Sequence, residues 1–157
     1  MAVPDFEHYE CEWSKDWTKE EFKQIWQSGD YRKYTQSRKD TNAMVAYYID
    51  KYGEDVPENI WMIRGICDEE NRKRIGNSWH PLNQLESEPS KVFIRNSKHS
   101  TAFFYYETTY LKNKRGIHFD EVGSMYEEEW LLNPSDFRTN TTYLHKFASA
   151  DLLLILS

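Results

Sequence analysis

The sequence predicts an α+β domain, with N-terminal helices packed on a mostly antiparallel, strongly twisted β-sheet. Three observations lead there. Two amphipathic segments with helix-end signals fall in the first third of the chain. Segments rich in aromatic and β-branched residues follow them. The regular helix–strand alternation of a doubly wound fold is missing. A length of 157 residues suits a single domain over 1–157, with 1–13 as a loosely ordered arm that Phe6, Tyr9 and Trp13 can pin down.

The first helix is predicted over 18–28. Thr18-Lys-Glu-Glu21 is a capping box, in which the Thr18 hydroxyl takes the Glu21 amide and the Glu21 carboxylate takes the Thr18 amide. Trp17 and Phe22 stand at the two positions of a hydrophobic staple. Phe22, Ile25 and Trp26 share a face, and Gly29 suits the stop. Asp30 opens a short helical piece carrying Tyr31 and Tyr34. A second helix is predicted from about Thr41 to Tyr52, with Val45, Tyr48, Ile49 and Tyr52 on one face and Gly53 at its end.

Asp55–Asn59 reads as a turn and Ile60–Ile66 as a buried strand. The charged stretch 68–76 suits a helical turn, and 77–90, with Pro81 and Pro89, a long loop. Lys91–Arg95 is strand-like. Thr101–Leu111 and Ile117–Val122, joined by Lys112-Asn-Lys-Arg-Gly116, carry a hairpin signature. Glu127–Leu132 suits a short helix closed before Pro134, and 141–147 another strand. Five consecutive apolar residues, Leu152–Leu156, make burial the default for the last segment.

The chain is 39% hydrophobic and 16% aromatic, which excludes a disordered segment. No apolar run approaches the roughly 18 residues of a membrane span. The N-terminus, Met1-Ala-Val-Pro-Asp-Phe, lacks the basic and apolar regions of a signal peptide. Cys11 and Cys67 read as free thiols. These features place the protein in an intracellular, cytoplasmic setting. The net charge is −6, and seven acidic residues against two lysines lie between Asp5 and Glu21. That balance counts against nucleic acid as a partner, because phosphate neutralisation supplies most non-specific affinity. The basic groups Arg32-Lys33, Arg38-Lys39 and Arg72-Lys73-Arg74 read as solvated faces.

Three functional readings follow. The first is a protein-binding module, accessory or inhibitory, that engages another protein through an acidic surface and exposed aromatics, with Trp79, Trp13 and Trp130 as anchors. The second is a small-molecule pocket or a phosphoester-type hydrolase. In the hairpin register, Tyr106, Thr108, Tyr110, His118 and Asp120 share one sheet face, mixing aromatic walls with polar groups. His118 with Asp120 is the minimum for acid–base work. His99-Ser-Thr101 offers a further histidine–hydroxyl pair at the start of a strand. Single-strand nucleic-acid binding by stacked tyrosines beside Lys112, Lys114 and Arg115 is a third possibility. No phosphate-cradling glycine loop and no compact metal-ligand pairs occur, so no cofactor or metal is expected.

Overall fold

The computed structural model describes residues 13–66, 76–82, 102–119, 128–137 and 144–148. It begins with the capping box in place: Glu21 N donates to Thr18 Oγ1 at 3.1 Å and Thr18 N to Glu21 Oε1 at 2.9 Å. Helix α1 (Lys19–Ser28) follows and stops at Gly29, whose φ of 83° is a left-handed cap that a Cβ would strain. Thr18→Ala is expected to cost about 1 kcal/mol of stability, as N-cap truncations do. A chemical-denaturation midpoint equal to wild type would refute the cap's contribution.

A single 3-10 turn (Asp30–Lys33) leads to α2 (Arg38–Tyr52). This helix starts three residues before the predicted Thr41. Ser37 is the reason: its hydroxyl accepts the Asp40 amide, and the first turn forms on that cap although it contributes nothing to the apolar face. Tyr48 is the hub between the helices. Phe22 stacks on it at 4.4 Å and Trp17 at 5.7 Å, which unites both staple residues on one ring. Three tyrosine hydroxyls then hold segment 13–17 along α2. Tyr48 donates to the Ser14 carbonyl, Tyr47 to Lys15 and Tyr52 to Trp17.

Among the described residues, seven strands form one sheet: β1 (Glu54–Asp55), β2 (Trp61–Ile66), β3 (Ser78–Pro81), β4 (Ala102–Glu107), β5 (Arg115–Phe119), β6 (Glu129–Leu131) and β7 (Leu144–Ala148). Their order is β1-β5-β6-β3-β2-β4-β7, and every pair is antiparallel. The α+β architecture is therefore as expected, with the two described helices preceding the sheet. One face packs on the helices: Ile117, Phe119 and Leu131 join Phe22, Met44, Val45 and Tyr48. The other face holds Met62, Trp79, Phe104, Tyr106 and Trp130, closed over by Val56, Leu111, Leu132 and Phe137 from the connections. Around β6 the sheet is thus packed on both sides. Alternation along β6 shows the division, since Trp130 faces one core and Leu131 the other.

Three expectations are corrected. The hairpin between 101–111 and 117–122 does not form. β4 lies between β2 and β7, β5 lies between β1 and β6, and three strands separate them. The physical reason is that β4 is aromatic on both faces and so belongs between two partners. Its exit is also steered away: Thr108 N donates to the Ile60 carbonyl and Thr108 Oγ1 to the Pro57 carbonyl, so the chain turns into a 3-10 step at 108–110. The predicted loop 77–90 contains β3, and the predicted helix 127–132 contains β6. These two strands pair through Trp79 and Trp130, and each side chain is buried by a contact that no local signal announces. The strand at 91–95, the turn at 68–76 except for its last residue, and the run 152–156 lie outside the described residues.

Asp136 is buried where the chain closes the far core. Asn113 Nδ2 donates to its Oδ1 at 2.8 Å. Burial raises its carboxyl above the ordinary 3.8, against the smaller lowering by Asn113 and Lys112. A raised carboxyl binds its proton more tightly in the folded chain than in the unfolded one. Stability from this group therefore falls as pH rises through the range between the two values. Asp136→Asn removes that fall. Unfolding free energies measured from about pH 3 to pH 7 should show wild type losing ground to the variant as pH rises. The reverse trend would contradict the assignment.

Candidate functional site

The sheet face expected to carry a pocket is packed instead. Tyr106 is fully buried and its hydroxyl donates to the Tyr110 carbonyl at 2.9 Å. Thr108 is also buried, with its hydroxyl spent on Pro57 at 2.6 Å. Tyr110 is exposed at the rim. His118 sits across the sheet from these three, stacked on Trp130 at 4.6 Å, with its Nε2 2.5 Å from Glu128 Oε2. Asp120, His99 and Thr101 lie outside the described residues. Tyr106, Thr108 and Tyr110 therefore do not converge with His118, because β4 and β5 are not neighbours.

The three tryptophan anchors fare differently. Trp79 is 1% exposed, stacks on Phe137 at 4.8 Å and donates its Nε1 to the Gly76 carbonyl at 3.0 Å. Trp130 is 3% exposed. Both are core residues, because each lies on the strand face turned toward Phe137 and Tyr106. Trp13 is partly buried against Tyr47 and Tyr48, and its Nε1 donates to Asp40 Oδ1. Trp61 and Tyr110 are the large hydrophobic residues exposed among those described.

The strongest site lies elsewhere. A cleft of about 420 Å³ opens between the end of α1, the 30–33 turn, the start of α2 and the adjoining ends of β2 and β3. Among the described residues, three arginines line it, Arg32, Arg38 and Arg64, together with the hydroxyl residues Thr35, Ser37, Thr41 and Ser78. No carboxylate lines it among the same described residues. In a chain of net charge −6, three arginines around one cleft are the main property of its described lining.

Each wall has a structural cause. Trp26 and Tyr31 form the aromatic side, with ring centroids 4.3 Å apart and planes inclined by 19°. Trp26 is tied to the sheet, since its Nε1 donates to Glu129 Oε2 at 3.0 Å across 103 residues of sequence. Arg32 extends over the Tyr31 ring at 5.3 Å from its centroid, a cation–π contact that holds the guanidinium at the mouth. Arg64 comes from β2, an otherwise apolar strand, and donates Nη1 to the Ser78 carbonyl at 3.1 Å. At the back, Asn77 Nδ2 bridges Asn42 Oδ1 of α2 and the Leu132 carbonyl, linking helix and sheet. The nearby Asp40 carboxylate accepts from Trp13 Nε1 and from the Gln36 amide, so its charge is held by donors of the fold.

Sequence reasoning read Arg32 and Arg38 as parts of a solvated face and did not single out Arg64. One signal was present: a lone arginine inside the apolar run Ile60–Ile66. A charge in a strand interior needs a polar destination. No set of three or more His, Cys, Asp or Glu among the described residues is arranged to hold a metal ion. Among the same residues, no helix is long and apolar enough to cross a membrane. Comparison with protein-family models, curated proteins and solved structures finds no match to this chain.

Proposed function

We propose that the protein binds a small organic phosphate carrying a planar ring, in the cleft between the helices and the ends of β2 and β3. The observation that carries this reading is a cleft whose described lining holds three arginines and no carboxylate, in an acidic chain. The planar guanidinium fork matches two phosphate oxygens at once, and it does so better than a lysine point charge. The cleft volume falls within the range of small-molecule sites and exceeds what one inorganic anion fills. The Trp26–Tyr31 wall supplies the apolar side that orients a ring. A small-molecule site, although not on the Tyr/His/Asp sheet face where one was expected, is preferred to protein docking, since Trp79 and Trp130, two of the three expected anchors, are spent on the core.

The test is calorimetric titration with ADP, inorganic pyrophosphate and adenosine, the last two being the halves of the probe. ADP is expected to bind with a dissociation constant below about 1 mM, more tightly than either half, and to weaken as ionic strength rises. Adenosine binding as well as ADP would remove the role of the arginines. Absence of binding by both ADP and pyrophosphate would overturn the proposal.

A further inference from the structure

We infer that Gly76 is the positioning residue of the cleft: the space left by its missing side chain is the seat of the Arg64 guanidinium. The inference rests on the phosphate-binding reading and names what holds that site's inner cation in place. A Cβ built on Gly76 would fall 2.3 Å from Arg64 Cζ and 2.5 Å from both Nε and Nη2. Three atoms of one guanidinium at such distances mean that the group lies across the glycine Cα, closer than any side chain would permit.

The seat has two further parts. Arg64 Nη1 donates to the Ser78 carbonyl at 3.1 Å, which fixes one arm of the fork. Trp79 Nε1 donates to the Gly76 carbonyl at 3.0 Å, which fixes the peptide beneath it. The buried tryptophan, the glycine and the arginine therefore form one stack from the far core to the cleft. The backbone does not explain this glycine. Gly29 is the glycine with positive φ among the described residues, so Gly76 occupies a conformation open to alanine. The reason for glycine here is the approach of Arg64.

Because the atoms that clash are the far end of a flexible side chain, a methyl group at 76 displaces the guanidinium and leaves the strand where it is. Gly76→Ala is thus expected to act as a partial loss of Arg64. With ADP as probe, Gly76→Ala should weaken binding about tenfold and change nothing further in an Arg64→Ala background. Equal weakening in both backgrounds, or unchanged binding in the single variant, overturns the inference. Should the single variant fail to fold, the double variant, which has room for the methyl group, is expected to fold. Failure of both would contradict the seat.

A second readout needs no ligand. In isotope-labelled wild-type protein, Arg64 Hε should show nuclear Overhauser contacts to the Gly76 Hα protons. Their absence overturns the inference even if ADP binds. Their presence with no ADP binding leaves the seat standing and removes only the phosphate reading.

Discussion

Trp79→Ala is expected to be the most destabilising single truncation in the chain. The indole is almost fully buried, stacked on Phe137, and hydrogen-bonded to the Gly76 carbonyl. Removing a buried tryptophan of this kind costs about 3–5 kcal/mol through lost burial and the cavity left behind. The orphaned Gly76 carbonyl adds about 1 kcal/mol. Against a typical total of about 5–15 kcal/mol, that is a large fraction of the fold's stability. The melting temperature should fall by roughly 10–15 °C. Trp79→Phe separates the two contributions. It keeps an aromatic partner for Phe137 and loses the N–H donor, so it should recover more than half of the deficit. A melting temperature for the alanine variant within about 3 °C of wild type would mean that Trp79 is not the core residue described.

Arg64→Ala is expected to have the largest effect on ligand binding, with little effect on stability. A hydrogen bond to a charged group contributes about 1.5–3 kcal/mol, so ADP affinity should fall about 10- to 150-fold. Arg32 and Arg38 stand more exposed at the mouth. Their alanine variants should lose less, and more of that loss should vanish at high salt, because exposed charges are the more strongly screened. Arg64→Lys keeps the charge but not the fork, and should fall between wild type and alanine. Equal losses for all three arginines would point to a diffuse electrostatic attraction instead of a seated phosphate. No loss for Arg64→Ala would move the site away from β2.

The two variants are connected. Trp79 holds the Gly76 peptide, and Gly76 bears the Arg64 guanidinium. Trp79→Phe is therefore expected to loosen the cleft slightly even though Trp79 never touches it. A core residue and a cleft cation share one short turn of chain, which makes stability and binding partly inseparable at the start of β3.

How much of this was legible before folding depended on the range of the interactions involved. The capping box at Thr18, the stop at Gly29 and the apolar faces around Trp26 and Tyr48 are contacts between residues a few positions apart. Their energetics are written in adjacent letters, so both helices and the α+β class could be read directly. β2 and the aromatic run of β4 were legible for the same reason, through composition. Pairing was not. β4 and β5 follow one another closely in sequence, yet β4, buried on both faces, pairs with β2 and β7, and β5 pairs with β1 and β6. β3 and β6 carry weak local signals and exist because Trp79 meets Trp130. The cleft depended most on long-range geometry. Arg32 and Arg38 look like ordinary surface charges along the chain, Arg64 stands out only by its place in an apolar run, and only the packing of α1 and α2 against the ends of β2 and β3 gathers the three around one space. Local propensity acts over a turn of helix or a few residues of strand, whereas the charge density of a site is a sum over distance in three dimensions.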